Sequence, residues 1–271
     1  MGRFFHVRCT AHILNLMVQN GLKVISKVIS NIRDSVLYLK RSPSRLYKFG
    51  EIARQLGIST CRGLRIDVPT RWNSTFKMLD AAFYYKVVFP EYACRDLHYI
   101  WLPLDQEWEM YENIKDILAV CDEVTEVFSG SSFPTANKFL PNLAKIKRIL
   151  DKGILSPIPC VRDMAPATMI KFDKYWSDCH IFFTIACILD PRVKLFALTY
   201  FYMKIYSLTE VNDKVEEAKS SLYELYSFYA VDKNVTTHKA SSSRMIRHRR
   251  AFRPDQAAPG SFAGKQRLRR P

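Results

Sequence analysis

Apolar residues recur every three or four positions along most of this chain, and that spacing constrains its fold more than any other feature. The longest uninterrupted series runs through Leu14, Val18, Leu22, Ile25, Ile29, Ile32, Val36 and Leu39. Because one helical turn takes about 3.6 residues, these side chains form a single stripe that must be buried against a partner. The series predicts a long helix that ends near Arg41, with Gly21 as its weakest point. A chain patterned in this way is predicted to be mainly α.

The same spacing predicts further helices, each bounded by a turn signal. They extend over residues 44–56, 71–88, 105–128, 133–150, 169–187, 192–207 and 210–230. Gly57 is placed to close the first of these as a C-cap, and Pro90 is placed to end the next. Pro141 marks a kink or a restart. Only residues 4–9, Phe-Phe-His-Val-Arg-Cys, alternate in the manner of a strand.

The net charge of +15 lies at the two ends of the chain. Residues 1–72 carry +10, residues 73–231 carry −4 and residues 232–271 carry +9. The last segment has almost no apolar periodicity, which predicts a disordered basic tail over 232–271. Disorder throughout is excluded, because 48% of the residues are apolar and can fill a core. The basic ends favour a polyanionic partner.

Cysteine usage and hydropathy indicate the compartment. The seven cysteines are an odd number and are scattered without close pairs, which predicts reduced thiols inside a cell. No apolar run approaches the roughly 18 residues of a membrane span, and the N-terminal residues include no apolar signal segment. We therefore expect a cytosolic or nuclear protein without membrane contact.

Cys9-Thr-Ala-His12 has the spacing of half a zinc site. A structural zinc site needs four ligands, and no second pair with similar spacing follows in the sequence. We therefore expect no metal site at these residues.

The segment Asp67-Val-Pro-Thr-Arg-Trp-Asn-Ser-Thr75 places a cation and an indole at the start of a helix. Helix N-termini and Arg side chains both suit phosphate, and an exposed Trp can stack on an unpaired base. In the structural alternative, Arg71 pairs with Asp67 and Trp72 is buried. Glycine-rich phosphate loops, G-x-S-x-G and H-E-x-x-H are absent from the sequence, so the enzyme classes that use them have no support.

Five blocks, in order along the chain, resemble hAT-superfamily transposases, especially the plant BED-zinc-finger RICESLEEPER-like proteins. They are residues 8–22 (RCTAHILNLMVQNGL), 67–79 (DVPTRWNSTFKML), 133–140, 169–177 and 186–195. The resemblance implies the helical insertion domain of an RNase H-like transposase, with one short remnant strand of the catalytic core. It divides the chain into a core remnant of a strand and a long helix (1–41), an all-helical insertion (42–231) and the basic tail (232–271).

The resemblance also has implications for catalytic, metal-binding and DNA-binding residues. The family uses three carboxylates that hold divalent Mg or Mn for DNA strand cleavage and transfer. Two of these acids and the BED finger precede the C-x-x-H block, and the third follows the helical region. We therefore expect no catalytic residue, metal or cofactor in this chain. Cys9 and His12 match a motif beside the core, and the predicted DNA-binding residues are Arg65, Arg71, Trp72 and Asn73, with stacking and burial both open for Trp72.

The predicted function is that of a nuclear, DNA-binding protein derived from a transposase, without a complete catalytic triad of its own. Two alternatives stay open. One is a partial gene model of an active hAT DNA transposase. The other is a helical protein-interaction scaffold whose basic ends serve solubility or nuclear import. Full-length relatives are expected to form homo-oligomers through a dimerisation region that we do not find in this sequence.

Overall fold

A computed structural model describes residues 9–130 and 135–241. Over these residues the chain forms helices and no strand, which confirms the prediction of a mainly α protein. The helices are α1 Thr10–Leu22, α2 Ser26–Lys40, α3 Pro43–Gln55, α4 Trp72–Tyr84, α5 Val88–Arg95, α6 Asp105–Ser129, α7 Phe139–Ile154, α8 Pro159–Ile188, α9 Lys194–Tyr202 and α10 Leu208–Ser241. The strand predicted over residues 4–9 lies outside the described residues, apart from Cys9 at its end.

The chain divides into two compact units, Met1–Tyr223 and Glu224–Pro271. The first unit contains the core that is described below. Of the second, the structure describes the helical residues 224–241. None of the helices in the described ranges is both long enough and apolar enough to cross a membrane.

The predicted long N-terminal helix is interrupted. A 3₁₀ turn at Lys23–Ile25 separates α1 from α2, just after Gly21. All eight residues of the apolar stripe are nevertheless buried, so the turn does not move the stripe out of the core. Gly21 faces α8, where an added Cβ would collide with Thr168. The glycine therefore allows α1 and α8 to approach closely.

Prolines begin helices in this structure more often than they end them. Pro43 opens α3, where the hydroxyl of Ser42 accepts a hydrogen bond from the backbone N–H of Arg45. Pro90 lies in the first turn of α5, so the prediction that it ends a helix is wrong: α4 already ends at Tyr84. A proline in a first turn loses no intrahelical bond, since those N–H groups have no partner within the helix.

The remaining turn signals act as predicted. Pro141 lies in the first turn of α7, which follows the 3₁₀ turn Ala136–Lys138, and so marks a restart. Gly57 adopts a positive φ of 72° directly after α3, as a C-cap requires.

The centre of the first unit is α8, which packs against both α1 and α7. Small residues bring these helices together, since a Cβ on Gly153 of α7 would lie 2.9 Å from the Cβ of Ala165. Asn20 of α1 donates a 2.7 Å hydrogen bond to the backbone carbonyl of Ala167. The close α1–α8 contact anchors the helix that carries the first sequence block.

The last helix is longer than expected. α10 continues to Ser241, so residues 232–241, which were predicted to begin the disordered tail, are helical. The segment from Leu208 to Ser241 has no glycine or proline to stop the helix once it has begun. Residues 242–271 of the predicted tail lie outside the described residues.

Candidate functional site

The first two sequence blocks meet at the start of α4. From α1, Asn15 Nδ2 donates to the carbonyl of Thr70 at 3.1 Å, and its Oδ1 accepts from the backbone N–H of Trp72 at 3.0 Å. Gln19 Nε2 donates to the carbonyl of Pro69 at 2.9 Å. The first N–H groups of a helix have no acceptor within that helix. Asn15, from α1, supplies an acceptor for one such group at the start of α4, the N–H of Trp72. The motif loop, residues 67–71, is thus held in place by α1.

A buried ion pair anchors the other end of the motif loop. Arg33 of α2 donates from Nε to Asp67 Oδ1 at 2.8 Å and from Nη2 to Oδ2 at 2.7 Å. The hydroxyl of Thr75 donates to the same carboxylate at 2.7 Å, and the Asp67 side chain is 0% exposed. The alternative in which Arg71 pairs with Asp67 is therefore wrong, because Arg33 holds that carboxylate.

Hydrogen bonding overcomes the effect of burial on these two charges. Burial by itself would raise the pKa of Asp67, but the hydrogen bonds from Arg33 and Thr75 and the charge of Arg33 hold that pKa below its ordinary value. The pKa of Arg33 is raised, chiefly by its hydrogen bond to Asp67. Both groups are ionised at neutral pH.

Arg71 is left exposed and unpaired at the N-cap of α4. Its backbone N–H donates to the carbonyl of Val68 at 2.8 Å, and its own carbonyl accepts from the hydroxyl of Ser74 at 2.8 Å. Within residues 9–130 and 135–241, its guanidinium has no hydrogen bond or ion pair. The backbone of this residue is fixed while its charged group remains available to an anion.

The other predicted residues of this segment differ in exposure. Arg65 is exposed and Asn73 is half-buried, and neither side chain has a hydrogen-bond partner in the described part of the chain. Trp72 is only 1% exposed and lies 6.3 Å from the ring of Phe76. Of the two roles predicted for Trp72, the structure shows burial, and no indole face is open for a base to stack on.

Cys9 and His12 lie at the start of α1. Both are exposed, and the Cys9 carbonyl accepts hydrogen bonds from the backbone N–H groups of His12 and Ile13 at 3.0 and 3.1 Å. No three His, Cys, Asp or Glu side chains in the two described ranges are grouped closely enough to hold a metal ion. The described residues therefore offer no ligand set for a divalent ion such as the one that the resemblance implies for the family.

A small cavity borders the motif loop and was not anticipated from the sequence. Its volume is about 160 Å³, and its walls come from α1, the 3₁₀ turn, α2 and Pro69. Lys23 and Ser26 are exposed at its edge, and Gln19 and Arg33 are half-buried in its walls. The only signal in the sequence was the presence of polar residues between the apolar positions of the first helix.

A second junction joins two of the later blocks. The carboxylate of Asp190 accepts from Asn137 Nδ2 at 2.6 Å and from Arg192 Nε and Nη2 at 3.0 and 2.8 Å. The hydrogen bond from Arg192 is the main reason why the pKa of Asp190 lies well below its ordinary range. The blocks at 133–140 and 186–195 are thus connected through side chains, as the first two blocks are.

Two models of known protein families match this chain, one in its N-terminal half and one in its C-terminal half. Residues 7–117 match the model described as the ZBED1 RNase-like helical domain, and residues 137–229 match the hAT-like transposase, RNase-H fold. These ranges divide the chain differently from the predicted division at residues 41 and 231, which stays a prediction.

Curated plant proteins are similar along most of the chain. Zinc finger BED domain-containing protein RICESLEEPER 2 of Oryza sativa subsp. japonica is 36% identical over 228 residues, which are 84% of this chain and 31% of that protein. The putative AC transposase of Zea mays is 36% identical over 231 residues, 84% of this chain and 28% of its own length. The Arabidopsis thaliana protein DAYSLEEPER is 29% identical over 182 residues, 67% of this chain and 26% of its own length. This chain therefore spans less than a third of the length of each of these three relatives, and no solved structure matches it significantly.

Proposed function

Because this chain is homologous to hAT-superfamily transposases over both matched segments, we propose that it is a transposase-derived, DNA-binding protein of the nucleus. We further propose that residues 1–271 do not include a complete catalytic triad, because the five blocks that carry the resemblance are not those in which the family's acids are expected. Residues 1–271 are then not expected to hold the divalent Mg or Mn that the resemblance implies for the family. DNA is the proposed partner.

The exposed guanidinium of Arg71 is the observation that carries the proposal. The motif loop is tied to α1 by Asn15 and Gln19 and to α2 by Arg33, so it is held rigidly. A rigid loop with a free cation costs little ordering entropy when it binds a phosphate. Exposed arginines that contact phosphates orient a protein on DNA and do not read its sequence. We therefore expect salt-sensitive DNA binding with weak sequence selectivity.

Fluorescence anisotropy with a labelled duplex, measured across a range of KCl concentrations, tests the proposal. Arg71→Ala is expected to weaken binding at least about tenfold, because a charge-assisted hydrogen bond contributes about 1.5 kcal/mol or more. The matched control is Arg162→Ala, since Arg162 is also exposed and its side chain has no partner in the described ranges. The control is expected to change affinity less than twofold.

Three results would contradict the proposal. Absence of salt-dependent binding by the full chain would reject DNA as the partner and favour an interaction scaffold. Equal losses in both variants would show that overall charge, and not the motif loop, carries the affinity. Loss of all binding on deletion of residues 242–271, with no effect of Arg71→Ala, would assign the affinity to the basic C-terminal segment.

A further inference from the structure

The cavity beside the motif loop has the composition of an anion site. We call it the α1–α2 groove, lined by Gln19, Lys23, Ser26, Ile29, Arg33 and Pro69 together with Leu22 and Thr75. None of these lining residues is acidic. The carboxylate of Asp67 neutralises Arg33, so Lys23 leaves the groove with a net positive charge.

The groove also presents hydrogen-bond donors that the protein does not use. Arg33 gives one N–H from Nε and one from Nη2 to Asp67, so three of its five N–H groups have no acceptor in the described part of the chain. The hydroxyl of Ser26 has no partner there either. Lys23 makes a single long hydrogen bond of 3.3 Å, to Asn20. These groups can donate to an anion without breaking a strong internal bond.

The size of the groove and its position beside the motif loop favour a phosphate group as the anion. A volume of about 160 Å³ is below the roughly 300 Å³ at which pockets for drug-sized molecules begin. The groove therefore suits one compact group, such as a phosphate, and not a base with its sugar. One wall is Pro69, two residues before the exposed Arg71, so the groove borders the loop that carries Arg71.

We propose that the α1–α2 groove seats a backbone phosphodiester of duplex DNA, with Lys23, Ser26 and the free N–H groups of Arg33 as its donors. The inference rests on the proposed function and adds the site at which the protein holds the duplex. Arg71 and the groove are then two phosphate contacts at one fixed loop, and together they orient the DNA relative to α1 and α4.

A pair of charge-matched substitutions tests the site in the full chain. Ser26→Asp places a carboxylate at the groove, and Ser30→Asp places the same charge on exposed helix surface one turn away. Ser26 is the first residue of α2, where the helix dipole favours negative charge, and Ser30 is the fifth residue of the same helix. In duplex anisotropy titrations, Ser26→Asp is expected to weaken binding at least about tenfold and Ser30→Asp at most about threefold.

A second pair removes a positive charge instead. Lys23→Ala is expected to reduce the slope of log affinity against log salt concentration by about 1, as the loss of one phosphate contact does. Lys27→Ala is the control, because Lys27 is exposed and has no partner in the described ranges. Its slope is expected to stay near that of the wild type. Thermal unfolding of all four variants verifies that they are folded.

The outcomes separate this inference from the function on which it rests. If the wild-type chain binds duplex DNA but each test variant behaves like its control, the groove is not a phosphate site and the proposed function stands. If the wild-type chain binds no duplex, both fall together. If both test variants lose affinity while their controls retain it, the groove is assigned.

Discussion

The ion pair between Arg33 and Asp67 is predicted to be the main support of the motif loop, and Asp67→Asn tests it. The carboxylate is fully buried and accepts three hydrogen bonds, two of them from Arg33. Removing one partner of a buried pair costs about 3–5 kcal/mol, because the remaining charge is left uncompensated. The Arg33 side chain is 24% exposed and Asn keeps one acceptor oxygen, so we expect a loss nearer about 2–3 kcal/mol.

Urea unfolding at pH 7, followed by circular dichroism, measures this loss. The matched control is Asp34→Asn, which removes the same charge from a half-exposed residue of α2 whose side chain has no hydrogen bond in the described ranges. It is expected to cost less than about 0.5 kcal/mol. A double-mutant cycle with Arg33→Gln is expected to show a coupling energy above about 1.5 kcal/mol, since the two side chains interact directly.

The pH dependence gives an independent test of the same pair. The pKa of Asp67 is lower in the folded protein than its value of about 3.9 in an unfolded chain. Its contribution to stability is therefore complete above about pH 4 and is lost as the pH falls through the folded-state pKa. The difference between wild type and Asp67→Asn should shrink over that acidic range. A difference below about 0.5 kcal/mol at pH 7, or one that does not change on acidification, would refute the reasoning.

Three other predictions test packing, buried charge and the role of the indole. Gly21→Ala is expected to cost about 1–3 kcal/mol because its Cβ would collide with Thr168, whereas Gly50→Ala, with nothing within 4 Å, should gain about 0.5–1 kcal/mol; urea titration compares the two. Burial is the main cause that raises the pKa of the Asp122 carboxyl, and its Oδ1 has no partner in the described ranges. The charged form of this carboxyl therefore lowers stability, so Asp122→Asn should raise the melting temperature at pH 7 but not near pH 4. Trp72→Phe should keep duplex affinity within twofold of the wild type because the indole is buried. A tenfold loss of affinity in a variant with unchanged stability would instead show that Trp72 contacts DNA.

Much of the helical architecture could be predicted from the sequence because its causes are local. Each residue of the apolar stripe from Leu14 to Leu39 is buried as predicted. The positive φ of Gly57 follows from its position after an apolar helix. Two predicted boundaries differ from the structure. Pro90 predicts a helix end, but a proline is also tolerated in the first turn of a helix, which is where Pro90 lies. The last helix continues past Ala230 because no glycine or proline follows there to end it.

The candidate site could be located from the sequence but not assembled from it. Residue types and spacing identified Arg71 and Trp72, and the order of the blocks indicated the family. Only the tertiary structure determined that Asp67 pairs with Arg33, that Trp72 is buried, and that a groove forms beside the loop. The physical reason is the distance along the chain: these contacts join side chains from different helices. A periodic pattern specifies which face of a helix is apolar, but it does not specify which partner that face meets.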